Sequence, residues 1–335
     1  MKEIISEKNN SCVLNNETFE FIIPIITNTD YDLSKFDFSF VDIQLFDIES
    51  IDFKEFITQN KYKWLERYYQ SFIQIFKEEK YIKKKRYAIV KKKIDTSFDY
   101  KNILNVFSLL IIVFPSNLKI ERLYNFKSRD NQISLSINCS DARGERKLFL
   151  HSTDNYLKEI NEFFFIVFNG LNSKSFTEIT IDNYLNSFYI TNPKLKFVSL
   201  CISLESIIGG NYELRYRIAR SLAILCGKDK SCSELIFKNV QKIYDLRSAI
   251  VHGESLKQNY INECRNLNIF NNYLQYLVSR MIIELLIHDI DKSELGCIIT
   301  SLGFGQRQEI SNNWKYYSLN IKNTLIENQE LKKFW

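Results

Sequence analysis

Only 9 glycines and 3 prolines occur among 335 residues, and this scarcity constrains the fold more than any motif does. A sandwich of many short strands needs a turn-forming residue at nearly every corner, and the chain cannot supply them. Collagen-like, low-complexity and linker-rich architectures fail on the same count. The expectation is a mainly α chain with a minor β part. With 45% hydrophobic and 25% charged residues the balance is that of a globular protein. At roughly 100–200 residues per domain, the length predicts two domains.

The longest apolar run, 103–114, is interrupted by Asn105 and Ser108. It falls short of the ~20 residues that a spanning helix requires, so no membrane partner is expected. The opening Met1-Lys-Glu-Ile-Ile-Ser lacks the long apolar segment and cleavage site of a signal peptide. The 7 cysteines are scattered without a CxxC, as expected of free thiols in a reducing cytosol. Three histidines, His151, His252 and His288, do not make a metal site, and no phosphate-binding GxxxxGK[ST] loop occurs. No metal and no cofactor are expected, and the location is expected to be cytoplasmic.

The net charge of +5 is mild, but its distribution is uneven. Lys83, Lys84, Lys85 and Arg86 sit in a basic stretch interleaved with Tyr81 and Tyr87. Cations and rings in that order would follow a phosphate backbone and stack on bases. A solvated Lys-rich face explains the stretch as well, and charge runs are more often that.

The β signals lie early. Phe36, Phe38 and Phe40 alternate with polar residues, followed by Ile43 and Leu45, which predicts a half-buried strand. Residues 18–26 form an apolar run containing Pro24, which predicts an edge strand or a bulged one. Ile133, Leu135, Ile137 and Cys139 alternate, and Leu148 and Leu150 answer them after a polar turn, as in a hairpin. Helices are predicted over 53–85 and 100–110. Beyond residue 153 the pattern turns helical, with segments near 154–169, 178–190, 194–208, 211–226, 233–251 and 257–288. Gly227 is placed to end one of these helices, and Ser231 or Ser233 to begin the next. Short connections between successive helices favour an antiparallel bundle. The organisation read from this is an α+β N-terminal domain over 1–152, a helical domain over 153–290 and a helical tail over 291–335.

Chemistry concentrates in Tyr244-Asp-Leu-Arg-Ser-Ala-Ile-Val-His-Gly253. Ile236, Val240, Ile243, Arg247 and Ile250 follow helical spacing, so Arg247 stands in the middle of an apolar stripe. A guanidinium does not give up its charge, and that position demands a partner or a wet groove. Glu205, within Leu204-Glu-Ser-Ile-Ile208, has the same problem with the opposite sign. A phosphate ligand would serve as well. His252 is expected at the helix end, where the C-terminal dipole favours imidazolium. On a regular helix it stands about 140° from Arg247. The two converge on one phosphate only if the helix end distorts or a second subunit contributes its own pair.

Arg247, four residues and His252 match the R-x(4–6)-H motif of HEPN domains, with Ser248 after the arginine. With "SLESIIGG" and "YRIARSLAILCG" upstream, residues 155–290 resemble the Apea-like branch of that superfamily. The resemblance implies a HEPN-type antiparallel bundle and a metal-independent endoribonuclease acting as a homodimer. It assigns Arg247 and His252 to catalysis, with Ser248, Glu205 and Asp245 in support. It implies 2′-hydroxyl attack on the adjacent phosphorus, leaving a 2′,3′-cyclic phosphate. His252 would be acid or base, and Arg247 would hold the non-bridging oxygens. A toxin-like role in anti-phage defence follows from the same resemblance, with RNA as partner and a phage-derived trigger or regulatory partner. Ser248 departs from the Asn, Asp or His often found there in active members, which bears on catalysis more than on fold. The reading from another class is a non-catalytic HEPN module that binds RNA or a protein.

Overall fold

The computed structural model describes residues 19–26, 33–58, 86–94, 97–113, 119–120, 122–129, 132–139, 157–173, 177–209, 213–227, 229–253 and 267–310. Most of them are helical, as the shortage of turn formers predicts.

The strands are β1 (Phe19–Ile26), β2 (Ile43–Asp47), β3 (Arg86–Ile94), β4 (Lys119–Ile120), β5 (Arg122–Arg129) and β6 (Gln132–Cys139). They form one antiparallel sheet in the order β2-β3-β1-β5-β6, with β4 also pairing to β1. β1 is therefore interior, which corrects the edge alternative, while its register does shift between Phe19 and Phe21. On one side β5 pairs with Phe19–Ile22 and β4 with Ile25–Ile26. Pro24 falls where that ladder is interrupted, so the residue without an N–H sits where a donor is least missed.

One expectation falls differently. Phe36 and Phe38 share one face as read, but the backbone there runs through 3₁₀ turns at Leu33–Lys35 and Ser39–Val41. Asp42, at φ +54°, reverses the chain, and the strand begins only at Ile43. Phe36 and Phe38 pack on Phe164, with ring centroids 5.0 and 5.1 Å apart, so aromatic packing overrides the extended backbone. β6, which alternates as read, pairs with β5. Leu148 and Leu150 lie outside the described residues.

The helices are α1 (Ile51–Thr58), α2 (Ser97–Val113), α3 (Leu157–Ser173), α4 (Glu178–Ser187), α5 (Pro193–Ile208), α6 (Leu214–Cys226), α7 (Lys230–His252), α8 (Leu267–Ile287) and α9 (Lys292–Ser301). α8 is the axis of the packing: it touches α2, α3, α4, α5 and α6, and every residue from Leu277 to Ile287 is buried. A helix enclosed on all sides belongs in the middle. α2 joins this body although it lies upstream of the sheet's last strands. Tyr184 donates its hydroxyl to the Ile111 carbonyl at 3.1 Å, and Ser279 donates to the Ile112 carbonyl. Both carbonyls belong to the last turn of α2, where no intrahelical donor reaches them.

Local signals place the site helices. Asn192 caps α5 by accepting from the Lys194 and Leu195 amides, and Pro193 takes the first helical position, where its missing N–H costs nothing. Gly227 ends α6 because a Cβ there would meet Ser233 Oγ at 2.1 Å and the Ala223 carbonyl at 2.6 Å. The cap of α7 is Asp229, accepting from the Cys232 amide at 2.8 Å, rather than Ser231 or Ser233. A carboxylate also complements the helix dipole, which a hydroxyl does not.

Candidate functional site

α7 carries the motif and crosses α5 and α6. Its Ile236, Val240 and Ile243 are fully buried, and Arg247 continues their stripe towards the surface with a quarter of its side chain exposed. Glu205 of α5 meets it. Arg247 Nη2 donates to Glu205 Oε2 at 3.2 Å, and Nε stands 3.1 Å from Oε1. The sequence-level demand for a counter-charge is met by the residue with the complementary problem. One hydrogen bond and one close ion-pair contact tie the guanidinium to the carboxylate.

Tyr244, one turn before Arg247, donates its hydroxyl to the Cys201 carbonyl at 3.3 Å. Burial pushes its phenol well above the usual value, Cys201 and Glu205 act in the same sense, and Arg247 opposes them. It therefore serves as a neutral donor, closing the inner side of the Glu205–Arg247 pair.

The remaining expected residues scatter. His252 is exposed at the end of α7, which is helical through that residue, and Gly253 terminates it at φ +63°. Ser248 is half-buried on the same helix. Asp245 turns away from the pair and binds Arg215 of α6, with Nη1 and Oδ1 3.0 Å apart. The structure thus brings Glu205 and Arg247 together, assigns Asp245 to Arg215, and leaves His252 at the rim. Arg86 opens β3, an interior strand flanked by β1 and β2, so the basic stretch ends in a strand rather than a helix. Lys83, Lys84 and Lys85 lie outside the described residues.

Sequence reading missed a buried ionic cluster. Glu284 of α8, fully enclosed, receives Arg280 Nε at 2.9 Å, stands 3.0 Å from His288 Nε2 and binds Arg307 from the segment after α9. Burial pushes the Glu284 carboxyl up, while Arg280 and His288 pull it down. Burial and the Arg280 charge together disfavour the Arg307 cation. The available signal was Arg280, Glu284 and His288 at four-residue spacing in the apolar Met281-Ile-Ile-Glu-Leu-Leu-Ile287. His288 stands just past the end of α8 as part of this cluster.

Among the described residues no group of three or more His, Cys, Asp or Glu side chains is placed to hold a metal ion. None of their helices is long and apolar enough to cross a membrane. Comparison with family models, curated proteins and solved structures gives no match.

Proposed function

We propose that the chain is a metal-independent endoribonuclease working as a pair of helical domains, each contributing Arg247 and His252. The carrying observation is Arg247: a permanent cation on an apolar stripe, held in direction by Glu205, yet with an edge open to solvent. Such a guanidinium is preorganised to meet a phosphate oxygen without first being ordered. His252, exposed on the same helix, supplies an imidazole, which can take or give a proton. In this reading one histidine takes the 2′-hydroxyl proton and the other protonates the leaving 5′-oxygen. Arg247 holds the charge that builds on the phosphorus oxygens. The resemblance of Arg247-x4-His252 and its flanking segments to HEPN domains supports the same assignment, and with it a toxin-like role in anti-phage defence.

The Glu205–Arg247 contact also favours a second reading, in which the pair only orients α5 against α7 and the module binds RNA or a protein without cleaving it. The discriminating experiment incubates wild type, Arg247→Ala and His252→Ala with RNA in excess EDTA and identifies the new ends. The nuclease reading expects 2′,3′-cyclic phosphate ends from wild type only. Cleavage abolished by EDTA, or retained by His252→Ala, refutes it. Binding without cleavage by wild type establishes the second reading.

A further inference from the structure

The tyrosine beside the ion pair carries a hydroxyl that its packing does not require. Tyr244 is buried, and a phenylalanine would fill nearly the same space. Its hydroxyl donates to the Cys201 carbonyl at 3.3 Å, which is long for a hydroxyl donor, whose ordinary range ends at about 3.0 Å. That carbonyl has a partner without it. Cys201 stands inside α5, where its oxygen accepts the Glu205 amide in the helical ladder. The phenol is thus a sealed donor making a second, long bond to a satisfied acceptor. The carboxylate beside it has the opposite deficiency. Glu205 accepts from Arg247 through Oε2, while Oε1, buried and 3.1 Å from Arg247 Nε, accepts no hydrogen bond. Glu205 also lies close enough to the phenol to act on it.

A guanidinium that takes a phosphate oxygen is drawn off its carboxylate. Glu205, with a fifth of its side chain exposed, is then left with a charge that little water reaches. We infer that Tyr244 is a positioning residue for Arg247, its hydroxyl turning from the Cys201 carbonyl to Glu205 as an anion draws the guanidinium away. This deepens the nuclease reading and rests on the anion-holding role given there to Arg247. Cys201 keeps its helical partner throughout, so the exchange leaves no acceptor bare. Burial keeps the phenol neutral, so the proton is there to be shared. A hydrogen bond to a charged acceptor is about twice as strong as one between neutral groups, and that gain offsets the departing cation. A purely structural tyrosine would matter equally whether or not Arg247 is engaged.

The test measures that difference in the full chain. Arg247→Met keeps the aliphatic stem and removes the cation, which stands for a guanidinium that has left Glu205. Urea unfolding is followed for wild type, Tyr244→Phe, Arg247→Met and the double variant. Tyr244→Phe alone is expected to lower the folding constant by less than about threefold. In the Arg247→Met background the same change is expected to lower it about tenfold or more, as the loss of a hydrogen bond to a charged group does. The excess should vanish once Glu205→Leu is added to both chains, since no carboxylate then needs the donor. Equal effects of Tyr244→Phe in the two backgrounds overturn the inference and leave the nuclease reading standing. An Arg247→Met chain that fails to fold while it still carries Tyr244 also overturns it, because the hydroxyl is then no substitute for the cation. With cleavable RNA, Tyr244→Phe should lower kcat about tenfold and leave KM in place, since Arg247 is drawn away most as charge builds on the phosphorus oxygens. An unchanged kcat overturns the inference. Absence of cleavage by wild type refutes the nuclease reading, and the coupling in the folding constants then decides the role of Tyr244 alone.

Discussion

At Arg247 and Glu205 the sequence was readable because each charge broke an otherwise apolar helical stripe. Two such breaks of opposite sign predict each other. The pairing is partly exposed, at 25% and 20% of the two side chains, so its loss costs less than that of a sealed pair. Glu205→Ala is expected to destabilise by about 1–3 kcal/mol, the cost of leaving a charged donor poorly satisfied. Denaturant titration of the variant measures this, and an unchanged midpoint would show the contact to be thermodynamically idle. Asp245 is a case that sequence does not resolve, because it does not say which neighbour claims a carboxylate, and here Arg215 on α6 does so. The thiols are a separate residue-scale case. Burial pushes Cys226 up to about 12 and raises Cys201 further, while Cys297 is exposed. In the native protein at neutral pH, alkylation should label Cys297 and spare Cys201, Cys226 and Cys232; rapid labelling of Cys226 would contradict the described packing.

Among elements, those with a one-sided apolar face were legible and those without one were not. α5 and α7 emerge within a few residues of their predicted bounds because Leu200, Leu204 and Ile207, or Ile236, Val240 and Ile243, recur at helical spacing. β3 was hidden because Lys91, Lys92 and Lys93 look like solvated surface, although the strand pairs on both sides. The segment 302–310 was hidden for another reason: its anchor is a buried charge, which no hydrophobic pattern reports. Arg307 reaches Glu284, Arg220 grips the end of α9, and Gly305, at φ +85°, lets the chain pass Lys230, where a Cβ would lie 2.7 Å from its amide nitrogen. Arg307→Met should loosen this segment selectively, since Glu284 keeps Arg280 and His288 as partners. Amide exchange over 292–310 is expected to accelerate while α5 and α8 keep their protection. Uniform acceleration across the protein would mean that Arg307 supports the whole core instead. Glu284→Ala removes the shared carboxylate and strands the cations, a loss of about 3–5 kcal/mol that should be global.

Over the whole molecule, α8 gathers α2 and the later helices around itself, and a helix buried on every side gives no sequence face from which to deduce that arrangement. What the sequence did state is the direction of the two motif residues, and the fold sharpens the consequence. α7 stays helical through His252, so Arg247 and His252 leave it about 140° apart, and Glu205 draws the guanidinium towards α5. A single phosphate is too small to meet both side chains from one such helix. Under the nuclease reading, a second chain must bring its own α7 alongside, and the site exists only in the assembled pair. Cleavage per mole of protein is therefore expected to fall on dilution, in step with the fraction of dimer measured by analytical ultracentrifugation at the same concentrations. The rate should become second order in protein once monomer predominates. A specific activity that stays constant down to concentrations at which only monomer sediments would place the whole reaction on one chain, and would require the end of α7 to unwind when RNA binds.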